Sequence, residues 1–399
     1  MSILIITDPA NDGHLYPVLN ELGRRGNQIQ LFNPSAYPLS ALITVESTPS
    51  ASRAVISWEE QEIDLAQIGS VWYRRPGNLN LPEELTPKEA EWLKGEASAL
   101  INGIYANTDA LWVSEPHRIR RADLKLLQLR LARELGFQVP EYLVTNDPDK
   151  ARSFIQSHPD GVIIKGMWMP MILTEEQAGM IYTHLVTPED LEQIDSVRYG
   201  PTYMQALVKK SRDIRVTVIG DELFAAGIDS MLVEEARIDF RVAEMMDLPH
   251  EPVTLPEPVA AACLAIVKRL GLNFGAIDLL ETPEGDYVFL ENNPNGQWYW
   301  VEMMTGQPMA RAMADLLERG EVERGRGPDL DRAFSPAPRE PRVMPVGEHT
   351  IPVTGRSAVA VANGDGPSSD LNLVATRAWL EKKHDNVLLH VGDTAASDV

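Results

Sequence analysis

Residues 273–300 read NFGAIDLLETPEGDYVFLENNPNGQWYW. Two apolar runs, 274–280 and 287–293, flank Pro283-Glu284-Gly285-Asp286, so the spacing predicts two strands joined by a tight turn. Side chains alternate faces along a strand. Glu291 and Asn293 therefore share one side, and Asp278 on the partner strand can face them. Two carboxylates and an amide oxygen form an all-oxygen set suited to Mg²⁺, which completes its shell with water and phosphate oxygens. Taken alone, such a pattern is more often a solvated sheet face with a polar turn. The remainder of the chain favours the metal.

The chain has 399 residues, 44% hydrophobic and 24% charged, which suits a soluble globular protein of two or three domains. Its formal net charge of −22 argues against nucleic acid as a partner and for a neutral or basic polypeptide. The single cysteine, Cys263, lies in the apolar helical run 261–266 and reads as a small buried hydrophobe. With no partner for a disulfide, it fits a reducing cytoplasm. The opening MSILIITDPAN lacks a basic leader, so no secretory signal is expected. No apolar run approaches the roughly 20 residues that span a bilayer, so no membrane partner is expected.

Residues 2–7 (strand), 17–25 (helix) and 28–32 (strand) predict a small open α/β domain. Asp12-Gly13-His14 lies in its first loop, where such sheets bind ligands. The G-x-G-x-x-G pattern is missing, so a dinucleotide reading fails, and His14 reads as a loop residue. A strand with its turn is expected at 51–62. Another, 71–73, ends at Arg74-Arg75-Pro76, where one arginine could hold an anion or an acidic peptide side chain. A helix follows at 87–105 and a strand at 110–113. Residues 117–136 predict one long helix, with Leu124, Leu127, Leu131 and Leu135 as its buried stripe and Lys125 beside it.

Further along, strands are expected at 140–145 and 161–165, with a helix from Asp147 to Ser157 between them. The second strand ends in Lys165, a charge aimed into a cleft. GMWMPMILTEEQAG (166–179), bounded by glycines, reads as a Met-rich flap. Strands 202–208, 213–219 and 222–229 follow, with Asp213, Arg215 and Thr217 sharing a wet face. RIDFRV (237–242) reads as another extended piece with Arg237, Asp239 and Arg241 in register. Helices 256–270 and 308–318 close the compact part. Residues 321–370, rich in Pro, Gly, Arg, Ser and Asp, read as a flexible linker. Residues 371–399 read as a C-terminal extension in which 371–391 regain apolar periodicity, as a helix plus a short strand; the hydroxyls, amines and acids there, such as Thr376, Lys382 and Asp393, are common by chance.

In their order and spacing, six segments resemble the ATP-grasp superfamily. They are VWYRRP (71–76), the leucine-rich helix with Lys125, VPEYLVTNDP (139–148), VIIK (162–165), YMQALVKKSRDIRVTVIGDELFAAGID (203–229) and GAIDLLETPEGDYVFLENNPNGQW (275–298). Within that superfamily the chain resembles the ribosomal-peptide maturases of the microviridin, or graspetide, type, relatives of the RimK-like glutamate ligases. The resemblance implies a mixed α/β and α+β fold: an N-terminal open α/β pre-domain (1–115), then a central lobe (116–200) and a C-terminal lobe (201–320) that enclose ATP. The tail is not covered. By the same resemblance, Lys125 and Lys165 contact ATP phosphates. Gln205, Ala206, Leu207 and Val208 form a hinge that reads adenine, and Asp213 accepts from the ribose. Arg215 and Arg241 are the catalytic arginines that steady the transferring phosphoryl group. Asp278, Glu291 and Asn293 hold Mg²⁺, as two ions, and Arg74 and Arg75 are peptide-binding candidates. Many ATP-grasp enzymes carry a Gly-rich loop after the second lysine; here Met-Trp-Met-Pro stands in its place.

The implied activity is a cytoplasmic ATP-dependent ligase. It would activate Asp or Glu side chains of a ribosomally made precursor peptide with a leader and a Thr/Ser/Lys-containing core, closing ester or amide cross-links. A homodimer is compatible with this reading. The alternatives are a RimK-like ligase that appends a free amino acid and a non-catalytic peptide-binding module.

Overall fold

The computed structural model describes residues 2–168, 171–173, 178–243 and 247–320. The expected linker and C-terminal extension, and residues 169–170 and 174–177 of the expected flap, lie outside them. What is described of that stretch includes a short antiparallel hairpin, Met171–Leu173 with Ala178–Met180.

The first strand, Ser2–Ile6, is buried along its whole length. It runs parallel between Gln28–Phe32 and Ile68–Tyr73, and Leu111–Val113 completes the sheet. Continuous apolar runs of this kind belong to parallel strands covered on both faces. The helices Leu15–Arg24 and Pro87–Ala106 accompany this sheet, and the second opens with a Thr86–Glu89 capping box. Among the described strands, those that escape the sequence reading include the short His184–Leu185 and His250–Pro252, and Ala41–Ser47, which pairs with Ser52–Trp58 in a three-stranded antiparallel sheet. Beyond Ala41 its side chains are mostly exposed, so the apolar alternation that would reveal it is weak.

The single helix expected at 117–136 is instead two, Pro116–Ala122 and Lys125–Glu134. Leu124 between them has non-helical backbone angles (φ −70°, ψ 97°), and the break resets the helical phase. The buried face becomes Gln128, Leu129, Leu131 and Ala132, while Leu124 is 58% exposed. Of the expected stripe only Leu131 is fully covered; Leu127 and Leu135 pack at the edge. The break also makes Lys125 the first residue of the second helix.

Two antiparallel sheets follow. The smaller has the order His184–Leu185, Val162–Lys165, Thr202–Ala206, Tyr142–Thr145. The larger has the order His250–Pro252, Glu222–Ile228, Arg212–Ile219, Phe274–Glu281, Tyr287–Asn293. Its hairpins turn at Gly220 (φ 60°) and Gly285 (φ 85°), left-handed positions that glycine takes without strain. Residues 237–242 are not extended: the chain there makes short 3₁₀ turns, Glu234–Ala236 and Phe240–Val242. The reason is local, since the Asp239 carboxylate accepts the Arg241 amide and caps a turn that competes with a strand. The helix Tyr299–Thr305, ended by Gly306, was also not foreseen.

The back face of the larger sheet (Val216, Val218, Ile277, Leu279, Phe289) packs on the helices Lys125–Glu134 and Glu257–Arg269. The front face divides along its length, so it is not wet throughout as expected. At one end Ile219, Phe224 and Phe274 join Trp298 and Val301 with Ile3, Leu15 and Leu22 of the N-terminal sheet and helix in one core. At the other end the same face carries Asp213, Arg215 and Asp278. The apolar end anchors the N-terminal sheet and leaves the polar end for chemistry.

Candidate active site

A β-bulge creates the acidic pair. Leu280 pairs with Val288 and Leu279 with Phe289; then the register shifts and Asp278 lies opposite Glu291. Without the extra residue, Leu290 would meet Asp278 and Glu291 would point to the back face. Asn293 lies one pair further on, opposite Ala276.

Each carboxylate already faces a cation. Arg215 Nη1 donates to Asp278 Oδ1 at 2.8 Å, and Lys125 Nζ contacts Glu291 Oε2. Burial pushes the Asp278 carboxyl up, more than Arg215 offsets. Burial also opposes the Glu291 charge, but Lys125, with Lys165 and Arg241 behind it, holds that carboxyl well below the usual range. Two carboxylates with different proton affinities therefore sit side by side. Arg215 is further held by the Trp300 ring, 5.7 Å from its Cζ, and His250 meets that ring edge-on at 5.4 Å.

Lys125, Asp278, Glu291 and Asn293 line a cavity of about 340 Å³ between the two antiparallel sheets, a size suited to a small-molecule ligand, while Arg215, Trp300 and His250 stand behind its lining. Lys165, from the strand Val162–Lys165, enters from the smaller sheet, and its ammonium makes no hydrogen bond or ion pair among the described residues. Burial lowers its pKa. Arg241 forms a bidentate pair with Asp239, at 2.8 and 2.6 Å, which raises the arginine pKa despite burial. Gln205, Leu207 and Val208 line the wall, whereas Ala206 does not. The strand ends at Ala206 rather than 208. The amides of Ala206 and Leu207 donate to Glu141 O (2.8 Å) and Gly161 O (3.0 Å), which leaves Val208 as the hinge residue whose amide is suited to a base edge. Asp213 Oδ2 accepts from Lys210 Nζ at 2.6 Å and from Ser230 Oγ. Oδ1 takes no bond from the described residues and suits a hydroxyl donor.

Sequence reasoning missed several residues here. Gln128 is buried and bridges helix to sheet, donating to Ala122 O (2.6 Å) and Asn292 O (2.7 Å) and accepting from Asn292 N (2.8 Å). Lys210 and Trp300 carry no signal because no spacing rule links them to the acidic pair, and Asp239, expected only in register with Arg237 and Arg241, is instead the partner of Arg241. Arg74 and Arg75 separate, as adjacent strand-end residues do. Arg75 is exposed, but Arg74 is 1% exposed and bonded inside the protein, which removes it from the peptide-binding candidates. His14 is buried at the junction of the N-terminal sheet and the helix Tyr299–Thr305, where its Nδ1 accepts the Tyr299 amide at 3.1 Å. Cys263 is fully buried, and burial pushes its thiol up to about 12, so it is inert.

Among the described residues no group of three or more His, Cys, Asp or Glu side chains is arranged to hold a metal by itself. Two facing carboxylates and one amide are what a magnesium ion needs when phosphate supplies its other ligands, so the donor set fits. No helix among the described residues is long and apolar enough to cross a membrane.

Residues 2–120 match the MvdD pre-ATP-grasp domain, and residues 122–317 match the RimK-like ATP-grasp domain. The fold is similar to that of a RiPP-associated ATP-grasp ligase of Chryseobacterium gregarium, solved in complex with ADP and a leader and core peptide. That similarity has a TM-score of 0.75 and 29% identity, covering 82% of this chain and 99% of that one. Macrocyclase MdnB of Microcystis aeruginosa is similar with a TM-score of 0.66 and 30% identity, covering 79% and 98%. A probable alpha-L-glutamate ligase of Shewanella loihica is 26% identical over 212 residues, 52% of this chain and 67% of that one. With the acidic pair and its cations set between two antiparallel sheets, and with both domain models matched in order, the chain belongs to the ATP-grasp superfamily, as a RimK-like ATP-grasp domain preceded by an MvdD-type pre-ATP-grasp domain.

Proposed function

We propose that the protein is an ATP-dependent ligase acting on Asp or Glu side chains of a ribosomally made precursor peptide, closing ester or amide cross-links within it. The observation behind this reading is the cavity itself. Acids for a metal, cations for phosphates and a hinge amide for a base converge between two sheets, in a chain that aligns over nearly the full length of a leader- and core-peptide-bound ligase.

The peptide carboxylate would gain the terminal phosphoryl group of ATP, with ADP leaving. A hydroxyl or amine of the same peptide would then attack the acyl carbon and release phosphate. Lys125 and Lys165 would neutralise phosphate oxygens as point charges. Arg215, fixed between Asp278 and Trp300, and Arg241, fixed by Asp239, would meet the charge that develops on the transferring group. Gln205, Ala206, Leu207 and Val208 would form the adenine wall, with the Val208 amide on the base edge, and Asp213 would take the ribose hydroxyls. Asp278, Glu291 and Asn293 would hold Mg²⁺. The ion would supply charge neutralisation that the lysines and arginines complete. In that state Lys125 would exchange Glu291 for phosphate. Arg75, exposed beside the buried Arg74, is the remaining candidate for an acidic peptide side chain.

Asp278→Asn and Glu291→Gln are expected to lower ADP release about a hundredfold or more while circular dichroism stays unchanged. Normal turnover in either variant sinks the metal assignment. Mass spectrometry of the peptide reports the product: loss of one water per cycle without added acceptor means internal cross-linking. The second reading, appending a free amino acid, is favoured by the similarity to glutamate ligases and predicts a mass gain instead.

A further inference from the structure

We propose that Arg74, in the N-terminal domain, is a positioning residue of the magnesium site. Its Nη1 grips the turn after Asn293 and sets the direction of that residue's carboxamide. This inference rests on the proposed role of Asn293 as a metal ligand.

The turn Asn293-Pro294-Asn295-Gly296 leaves the end of the metal-bearing strand Tyr287–Asn293. Arg74 Nη1 donates to three oxygens in it: Asn295 O at 2.7 Å, Asn295 Oδ1 at 3.0 Å and Gly296 O at 3.2 Å. Asn295 Nδ2 returns a bond to Arg74 O. The Asn295 amide in turn donates to Asn293 Oδ1 at 3.1 Å, fixing one lone pair of the oxygen that would ligate the ion and aiming the other. Gly296 folds back so closely that a Cβ there would lie 2.6 Å from Ala276 Cβ and 3.1 Å from Asn293 Cγ. The amide is thus held from the chain behind it and the turn beside it.

The arginine is itself fixed. Asp12 lies 3.5 Å from its Nε, and both side chains are buried. Asp12 accepts from Thr7 Oγ1 at 3.1 Å and from the His14 amide at 3.2 Å. Thr7 and Arg74 follow adjacent parallel strands, at the carboxyl-end crevice where an open α/β sheet takes its ligand. Here that crevice is filled by the turn of another lobe. Among the described residues only Nη1 finds hydrogen-bond partners, with Nε and Nη2 left to the Asp12 charge. Burying a guanidinium in this way costs several kcal/mol, so filler alone would favour an apolar side chain. Orienting groups behind metal ligands change metal affinity by about 10–100-fold when removed.

The test is calorimetric titration of the full chain with ADP, once with Mg²⁺ and once with EDTA. For Arg74→Gln, ADP affinity in EDTA should stay within about twofold of the parent, while the tightening produced by Mg²⁺ shrinks about tenfold or more. Arg74→Lys keeps the charge, loses the reach and direction of Nη1 and should fall between. Asn295→Ala leaves Arg74 and Asp12 in place, removes the two side-chain bonds between Asn295 and Arg74 and should show the same selective loss even if Arg74→Gln does not fold. Full Mg²⁺ tightening in a folded Arg74→Gln or in Asn295→Ala, or equal loss of ADP affinity with and without Mg²⁺, overturns the proposal. Asn293→Ala separates the two ideas. If that variant loses the tightening and the Arg74 variants keep it, only the positioning role fails; if it keeps the tightening, the metal reading fails and takes the positioning role with it.

Discussion

Trp300 shows how a residue outside any motif can matter to the chemistry. It presents its ring to the Arg215 guanidinium while Asp278 takes one of that group's nitrogens. A cation–π contact of this kind contributes about 0.5–2 kcal/mol, and more of it when water is excluded. Trp300→Leu should therefore lower kcat by about three- to thirtyfold with ADP affinity unchanged, and Trp300→Phe should recover most of the loss. Steady-state kinetics beside a binding titration separates this from a folding defect, which would reduce both. The sequence displays Trp300 only as the last letter of GQWYW; the fold gives it a partner 85 positions earlier in the chain.

At the scale of elements, the second helix of the broken pair and the strand Tyr287–Asn293 are tied by Gln128. Its carboxamide satisfies both the N–H and the C=O of Asn292, one residue from Glu291. The same helix begins at Lys125, so one contact sets the spacing between the lysine and the glutamate it faces. Gln128→Leu keeps a similar volume but strands three buried backbone groups, Ala122 O with the Asn292 N–H and C=O, each worth about 1–3 kcal/mol when unpaired. The midpoint of urea unfolding should drop accordingly, and ATP turnover should fall with it. An unchanged midpoint would show that the strand end finds other partners. Heptad-like leucine spacing could not reveal this, because the break at Asp123-Leu124 turns Gln128 into the core and Leu124 out of it.

For the whole molecule, the N-terminal sheet and the larger antiparallel sheet share one core, and His14 lies at their junction. Burial, then Arg74 and Arg75, lower its pKa to about 3. The unfolded imidazole titrates near 6.5, so between about 6.5 and about 3 the unfolded chain binds the extra proton. This contribution to stability is fully present above about 6.5 and is lost as pH falls toward 3. His14→Asn keeps an acceptor for the Tyr299 amide but cannot be protonated there. Thermal melts from pH 7 to 5 should show a shallower fall for the variant than for the parent. Parallel curves would show that His14 does not report on the junction.

The sequence by itself determined the residue types and their order: an acid on one strand, E-x-N on the next, lysines at 125 and 165, paired arginines after an apolar strand. Strand alternation and glycine turns are local physics, so both hairpins of the larger sheet could be read from letters alone. What only the tertiary structure decided is which side chains meet. A single extra residue at Leu290 turns Glu291 toward Asp278 rather than away from it. Asp239 caps a turn where a strand was expected, and Arg74 is drawn inward to hold a turn 221 residues away while Arg75 stays outside. Bulges, caps and buried ion pairs depend on partners distant in the chain, and no periodicity within a short window encodes them.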